Sequence, residues 1–188
     1  MAVDLKKELV NLPDKYIILV IVSAMRYVET NVNLLKIFCN EKNLSGIYIT
    51  VNRPYENISS LLDTNKVNTS NLFFIDAITK TINIASRRTE HCLYISSAES
   101  LTELSIAVSE AVKVIHGEKF LFLDSLSTLL MYNSSGTITK FAHFLTTKIR
   151  EWGIKGVLVS LEKETDEKLI SQLTQFVDKV IVVDSKGV

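Results

Sequence analysis

Polar side chains follow two apolar runs at the points where strands of a parallel sheet would end. Ser23 and Thr30 come after the run YIILVIV, and Asp124 and Ser125 come directly after KFLFL. Ligands of open α/β sheets bind beyond the carboxyl ends of the strands, so function is expected at these positions. A carboxylate and a threonine hydroxyl are oxygen ligands of the kind that hold Mg²⁺ beside a phosphate. These four residues are therefore the candidates for a phosphate or magnesium site.

The octapeptide SAMRYVET, residues 23–30, has the length and position of the phosphate-binding loop GxxxxGK[ST], and we expect a helix to begin after it near Asn31. Ser23 and Val28 replace the two glycines, Glu29 replaces the lysine, and only the last position agrees. Glu29 would repel each phosphate charge by about 4 kcal/mol at about 4 Å and an effective dielectric constant of about 20. Val28 adds a Cβ where backbone must approach phosphate. No GxGxxG motif follows the run, so dinucleotide binding is not indicated.

These losses favour a structural role for the same residues. Without a phosphate to share the ion, Asp124 is expected to cap or hydrogen-bond neighbouring backbone at the strand end, and Ser125 likewise. We therefore treat Ser23, Thr30, Asp124 and Ser125 as vestigial cofactor-binding positions and Asp124 as a vestigial metal ligand. No catalytic residue, cofactor or metal is expected.

Other kinds of site are not indicated by the sequence. Ser125 lies in DSLST and not in the GxSxG elbow of a hydrolase. Ser23 and Ala24 exclude the acidic pair of a receiver domain, although Asp76 and Ser160 could face the same sheet edge as the residues above. The three histidines and two cysteines have no metal or redox motif around them, so solvated imidazoles and buried reduced thiols are expected.

Seven apolar runs of strand length alternate with segments of helical period, which predicts a parallel sheet with crossover helices. The runs are 16–22, 46–51, 71–75, 92–96, 119–123, 156–160 and 179–183. Apolar spacing predicts amphipathic helices over 98–116 and along Ile138–Trp152, where Trp152 is expected to pack. The fold class is α/β, with a mostly parallel central sheet flanked by helices on both faces. Residues 1–188 are expected to form one domain.

Glycine usage bears on the missing phosphate loop. Five of the six glycines are assigned to turns between elements: Gly46, Gly117, Gly136, Gly153 and Gly156. Four of these follow a predicted helix and precede a strand, where a left-handed residue is favoured. This assignment leaves no glycine for a phosphate-binding loop.

Charge and hydropathy exclude several classes of partner. Lys plus Arg and Asp plus Glu number 21 each, so no global field directs the chain to nucleic acid or to an anionic membrane. Arg87 and Arg88, with Lys80, form a basic cluster too short to indicate nucleic-acid binding. The apolar run Tyr16–Val22 is too short to span a bilayer, and no signal-peptide pattern precedes it. A cytoplasmic protein without a membrane partner is expected.

The order of these segments resembles that of the RecA-like ATPase superfamily, and more closely that of the KaiC-like proteins of archaea. The likeness covers nearly the whole chain: the strand and loop at 16–30, GIYITVNRPYENI, NLFFIDAIT, the helix around SSAESLTELS, FLFLDSLSTLL, GIKGVLVSLEKETDEKL and FVDKVIVV. The resemblance implies a RecA-like P-loop NTPase fold in which Asp124 stands at the Walker B position.

Active members of this superfamily carry a loop lysine and one or two glutamates after the second strand, which activate the attacking water. On this resemblance the glutamate positions are Asn52 and Arg53, which cannot accept a proton from water at neutral pH. The resemblance therefore implies a non-catalytic module, a pseudo-ATPase that acts in protein–protein interaction, regulation or signal transduction. RecA-like domains commonly bind nucleotide at a subunit interface, so a homo-oligomer or another protein partner is expected.

A degenerate P-loop protein that still binds or slowly hydrolyses ATP with Mg²⁺ as a switch is the alternative. It would hold the nucleotide through backbone amides at the helix N-terminus, Thr30 and Asp124. Arg26 is the nearest replacement for the missing lysine, whereas Glu29 is a group that an anion site should not keep at its mouth. On this alternative, Glu29→Lys combined with Val28→Gly should increase nucleotide affinity.

Overall fold

A computed structural model describes residues 3–82, 84, 89–162 and 167–184 of the chain, with backbone alone for 167 and 168. Its strands are β1 Ile17–Val22, β2 Ser45–Thr50, β3 Leu72–Asp76, β4 Cys92–Tyr94, β5 Lys119–Asp124, β6 Lys155–Leu161 and β7 Lys179–Val183. Its helices are α1 Leu5–Val10, α2 Tyr27–Leu35, α3 Tyr55–Thr64, α4 Leu101–Val114, α5 Leu126–Leu129, α6 Ser135–Trp152 and α7 Glu167–Leu173. A π-helical segment, Lys36–Glu41, continues α2.

The strands form one parallel sheet in the order β4–β3–β2–β5–β6–β1–β7. In this register Thr50 at the end of β2 lies between Asp76 of β3 and Asp124 of β5. The predicted α/β class is confirmed, and each apolar run that predicted a strand contains one. The carboxyl ends of the strands therefore meet along one edge, as the sequence analysis required for a site.

Side-chain alternation divides the interior into two layers, one on each face of the sheet. On β5, Phe120 and Phe122 belong to a core formed with α1, α2 and α3. Leu121 and Leu123 belong to a second core formed with α4, α5, α6 and α7. Because successive strand residues point to opposite faces, Asp124 points to the same side as Phe122, towards α2 and α3.

Helix α2 begins at Tyr27, so the expected start near Asn31 is wrong. A turn from the Ser23 carbonyl to the Arg26 N–H, at 3.0 Å, leads directly into the first helical bond, from the Thr30 N–H to the Arg26 carbonyl at 2.8 Å. The connection between β1 and α2 is thus only Ser23–Arg26, and Val28 and Thr30 lie inside the helix.

The glycine assignment is correct at two positions and wrong at three. Gly117 and Gly153 have positive φ angles of 84° and 62°, as expected after helices. Gly46 lies inside β2, Gly156 inside β6, and Gly136 in the first turn of α6. A Cβ at Gly46 would lie 2.4 Å from side-chain atoms of both Leu72 and Phe120, so close packing of neighbouring strands, not a turn, requires this glycine.

The segment after β3 is organised by Asp76, which is fully buried. Its carboxylate accepts hydrogen bonds from the backbone N–H groups of Tyr55 (2.7 Å), Ile78 (2.9 Å) and Thr79 (2.8 Å), and from the Thr79 hydroxyl (2.6 Å). Asp76 therefore fixes the start of α3 and the turn at 77–79. The basic pair at 87 and 88 lies outside the described residues.

Candidate functional site

Asp124, at the end of β5, is the centre of the candidate site and is only 2% exposed. Its two carboxylate oxygens each accept a hydrogen bond from a tyrosine hydroxyl, one from Tyr27 and one from Tyr48. The expectation that Asp124 bonds neighbouring backbone is therefore wrong, because its side chain points into the layer that contains both tyrosines. The peptide bond from Asp124 to Ser125 is cis.

The two tyrosines come from separate elements. Tyr27 is the first residue of α2, and Tyr48 lies in β2, next to β5, with its ring stacked on Phe122 at 5.2 Å between centroids. Asn52 donates from Nδ2 to the Tyr27 hydroxyl at 3.2 Å. The result is a chain of polar side chains, Asn52–Tyr27–Asp124–Tyr48, at the carboxyl edge of the sheet.

Neither tyrosine is a candidate site residue on the sequence alone. Tyr48 stands inside an apolar run and has the pattern of a core residue, and Tyr27 occupies a variable position of the phosphate-loop pattern. The signal that could have found Tyr48 is the alternation of side chains between the two faces of a strand. Given that β2 is next to β5, Tyr48 and Asp124 must share one face of the sheet.

Burial shifts the pKa values of Asp124, Tyr27 and Tyr48. Desolvation raises the pKa of Asp124, while the hydrogen bonds from Tyr27 and Tyr48 and the nearby Arg53 guanidinium oppose that rise. Desolvation and the Asp124 charge both raise the pKa of Tyr27 and of Tyr48, so the hydroxyls remain protonated donors. The three groups thus stabilise one another in a buried network.

A small cavity of about 10 Å³ lies beside the network, between α2 and α3, and has room for about one water molecule. Asn31, Arg53 and Asp124 supply its polar lining, and Val32 and Leu62 are among its apolar lining. The Asn31 Oδ1 atom is buried and has no hydrogen-bond partner among the described residues. Arg53, one of the two positions matched to a catalytic glutamate, therefore contacts this cavity.

Apart from Tyr27, the residues of the phosphate-loop comparison form no hydrogen bond or ion pair with Asp124 among the described residues. Arg26 forms an ion pair with Glu29 at 3.3 Å between Nε and Oε2. Ser23 donates its backbone N–H to the Val183 carbonyl, and its buried hydroxyl has no partner among the described residues. Thr30 is 3% exposed inside α2. Of the four sequence candidates, Asp124 and Ser125 are adjacent in the chain, and no hydrogen bond joins Ser23 or Thr30 to Asp124 among the described residues.

Ser125 has the structural role that the sequence predicted. Its hydroxyl accepts the Thr128 N–H at 3.3 Å and lies 2.9 Å from the hydroxyls of both Ser127 and Thr128. Ser127 in turn accepts the Leu161 N–H at 3.1 Å. The Ser125 hydroxyl therefore caps α5, and the Ser127 hydroxyl connects α5 to the end of β6.

The cysteines, histidines and tryptophan considered in the sequence lie in the environments expected of core or surface residues. Cys39 and Cys92 are buried free thiols, and burial raises the pKa of each to about 12. The histidines at 91, 116 and 143 are exposed, and Trp152 packs against the second core, as expected.

Within the described ranges, no group of three or more His, Cys, Asp or Glu residues could hold a metal ion. None of the helices described in the structure is long and apolar enough to cross a membrane.

Comparison with known proteins gives one family and several similar structures. The model of a family described as "Family of unknown function (DUF7504)" matches residues 34–183. No curated protein matches the sequence. A KaiC-like protein from the hyperthermophilic archaeon Pyrococcus horikoshii OT3 is similar with a TM-score of 0.70 and 13% identity, over 92% of this chain and 74% of that one.

A second similar structure is an uncharacterized protein from Pyrococcus horikoshii, solved in complex with an unknown peptide. Its TM-score is 0.71 at 14% identity, over 94% of this chain and 80% of that one. At these identities the likeness concerns the fold alone. It confirms that the chain has the RecA-like fold of KaiC-like proteins.

Proposed function

The chain belongs to the DUF7504 family, and we propose that it is a non-catalytic RecA-like module that acts by binding protein partners, in regulation, and not by hydrolysing nucleotide. The observation that carries this proposal is the hydrogen bonding of Asp124 by Tyr27 and Tyr48. In an active relative this carboxylate would help to hold magnesium, whereas here both of its oxygens serve two tyrosines of the same chain.

A magnesium–nucleotide does not fit the residues around Asp124. Mg²⁺ requires oxygen ligands at about 2.0–2.1 Å in octahedral geometry. Asp124 is 2% exposed and one of its carboxylate oxygens accepts the Tyr27 hydroxyl, so an ion on that oxygen would have to displace the tyrosine. The adjacent cavity, at about 10 Å³, is too small for a phosphate.

The loop offers little to an anion. Arg26, the nearest replacement for a phosphate-binding lysine, is paired with Glu29. The connection Ser23–Arg26 contains no glycine, and Val28, at a glycine position of the pattern, lies inside α2. These features support loss of nucleotide chemistry independently of Asp124.

The surface supports a protein partner. Several large apolar side chains are exposed on the helices and loops: Met25 (86%), Ile106 (55%), Val114 (66%), Met131 (75%) and Phe144 (42%). Of these, Ile106 and Phe144 lie in adjoining pockets between α4 and α6, and contiguous exposed apolar residues mark interaction sites more often than scattered ones do. The similar Pyrococcus horikoshii structure in complex with a peptide agrees with peptide or protein binding by this fold.

The test is the melting temperature of the purified protein with and without millimolar Mg-ATP, Mg-ADP and Mg-GTP. A ligand at about 100 times its Kd stabilises by about 2.7 kcal/mol, which is a shift of about 5–10 °C for a domain of this size. We expect no shift. A shift of that size that is lost in Asp124→Asn would contradict the proposal and favour the nucleotide switch.

A matched variant separates the effect of the loop residues 28 and 29 from the effect of Tyr27 on Asp124. Glu29→Lys with Val28→Gly restores the lysine and one glycine of the phosphate-loop pattern but leaves Tyr27 in place. We therefore expect this folded double variant to bind no Mg-ATP. Binding by the double variant would show that Val28 and Glu29 together, and not Tyr27, exclude nucleotide from the wild type.

A further inference from the structure

Helices α4 and α6 leave an open groove between them on the face of the sheet opposite Asp124. Two adjoining pockets, of about 400 and 570 Å³, form this groove and share Leu101, Thr102 and Thr137 at its centre. We call it the α4–α6 groove. It belongs to the layer of the second core, whereas Tyr27 and Tyr48 belong to the first.

The two halves of the groove each present a large apolar side chain to solvent. One half contains Phe144, which is 42% exposed, and the other contains Ile106, which is 55% exposed. Both halves share Leu101, which is partly buried, so apolar side chains extend from one half of the groove to the other. Contiguous apolar surface of this kind on a folded domain indicates a binding site for a macromolecule.

The halves carry opposite charge. Lys140 lines the Phe144 half, and Glu99 and Glu103 line the Ile106 half. Glu103 is used within the chain, because it accepts the N–H and the hydroxyl of Ser96. In the part of the chain that the structure describes, neither Lys140 nor Glu99 forms an ion pair. A cation and an anion thus stand unpaired on either side of one apolar centre.

We propose that the α4–α6 groove binds a second copy of this chain as a two-fold symmetric dimer. In a two-fold interface the same patch meets itself, so residue i of one copy contacts residue j of the other and the reverse. A two-fold axis through Leu101 and Thr137 places Lys140 of each copy against Glu99 of the other. The same rotation lays Phe144 of one copy in the Ile106 half of its partner.

This inference shares with the proposed function the idea of a protein partner, but it does not depend on the state of Asp124. A partner of uniform charge would satisfy only one half of the groove and would oppose the other half. A second copy satisfies both, since its charges are reversed by the rotation. Charge complementarity therefore favours self-association over capture of a uniformly acidic or basic segment.

The test is sedimentation equilibrium of wild type, Lys140→Glu and Glu99→Lys from micromolar to submillimolar concentrations, without nucleotide. Each substitution converts two symmetric attractions into repulsions, so each single variant is expected to raise the dimer Kd about tenfold or more. Lys42→Glu, an exposed charge reversal beyond the π-helical segment on the other layer, is the matched control and should leave the Kd unchanged.

Mixing the two single variants is the decisive experiment. In a mixed dimer Lys140 of one copy meets the native Glu99 of the other, and the two new residues also pair, so an equimolar mixture should associate close to the wild-type Kd. A wild type that stays monomeric, single variants that associate like wild type, or a mixture that stays monomeric would each overturn the proposed dimer. Nucleotide-dependent melting would instead contradict the proposed function and leave this result unaffected.

Discussion

Tyr27→Phe tests the tyrosine–carboxylate network most directly. The substitution removes one hydroxyl and leaves the ring, which is 6% exposed, so no large cavity forms. A hydrogen bond to a charged group contributes about 1.5–3 kcal/mol, and Asp124 is too buried for water to replace the lost donor fully. We therefore expect the free energy of unfolding to fall by about 1.5–3 kcal/mol, or the melting temperature by about 3–12 °C.

Urea denaturation at a pH above the raised pKa of Asp124, with unchanged slope against denaturant, measures this loss. Tyr16→Phe is the matched control, because Tyr16 is 2% exposed and its buried hydroxyl has no partner among the described residues. Removing an unpaired hydroxyl should leave stability unchanged or slightly increased. The contrast between the two substitutions isolates the hydrogen bond from the general cost of changing a buried tyrosine.

A double-mutant cycle with Asp124→Asn identifies the acceptor. In the Asn background the bond from Tyr27 is neutral, so the same Tyr27→Phe change should cost only about 0.5–1.5 kcal/mol. The coupling energy between the two sites is then about 1 kcal/mol. A loss below about 0.5 kcal/mol in the wild-type background, or costs that are equal in both backgrounds, would refute the argument that Tyr27 stabilises the Asp124 carboxylate.

Two further predictions concern Asp124 and the sheet. Because burial raises the pKa of Asp124, the folded state holds this proton more tightly than the unfolded state, and wild-type stability should decline as pH rises through the folded pKa. Asp124→Asn has no proton to lose, so its stability relative to wild type should increase from about pH 4 upward, and a flat difference would contradict the shift. Gly46→Ala places a Cβ 2.4 Å from Leu72 and Phe120 atoms and should cost about 1–3 kcal/mol in urea denaturation. Gly136→Ala, with no atom within 4 Å of the added Cβ, should not destabilise, and equal losses in both variants would contradict the packing explanation.

The fold was predictable because its strands are buried on both faces. Parallel strands with such burial have continuous apolar runs, and all seven runs found in the sequence contain strands of the sheet. The wrong assignment of Gly46 has a different origin. A glycine in a turn and a glycine under a neighbouring side chain look the same in one sequence, and only Leu72 and Phe120 on adjacent strands distinguish them.

The candidate site was predictable from the sequence at Asp124, the last residue of β5, at Ser125 after it, and, through the resemblance, at Asn52 and Arg53. Its other members are distant in the chain: Tyr27 is 97 residues from Asp124, and Tyr48 is 76 residues away. Local pattern carries no information about such pairs. The strand order supplies it, because it places β2 beside β5 and brings Tyr48 and Asp124 to one face. The early start of α2 at Tyr27 was equally hidden, since its first residues resemble a loop motif.

The division of the interior into two layers gives the protein a built-in pair of optical reporters. Five of the six tyrosines belong to or pack against the layer of α1–α3: Tyr16, Tyr27, Tyr48, Tyr55 and Tyr94. The single tryptophan, Trp152, packs against the opposite layer at the end of α6. Tyrosine signals therefore report mainly on the layer of α1–α3, with Tyr132 on the other side, whereas tryptophan emission reports on the opposite layer. Loosening of one helical layer before the other would separate the two signals in time or in denaturant, without any added label.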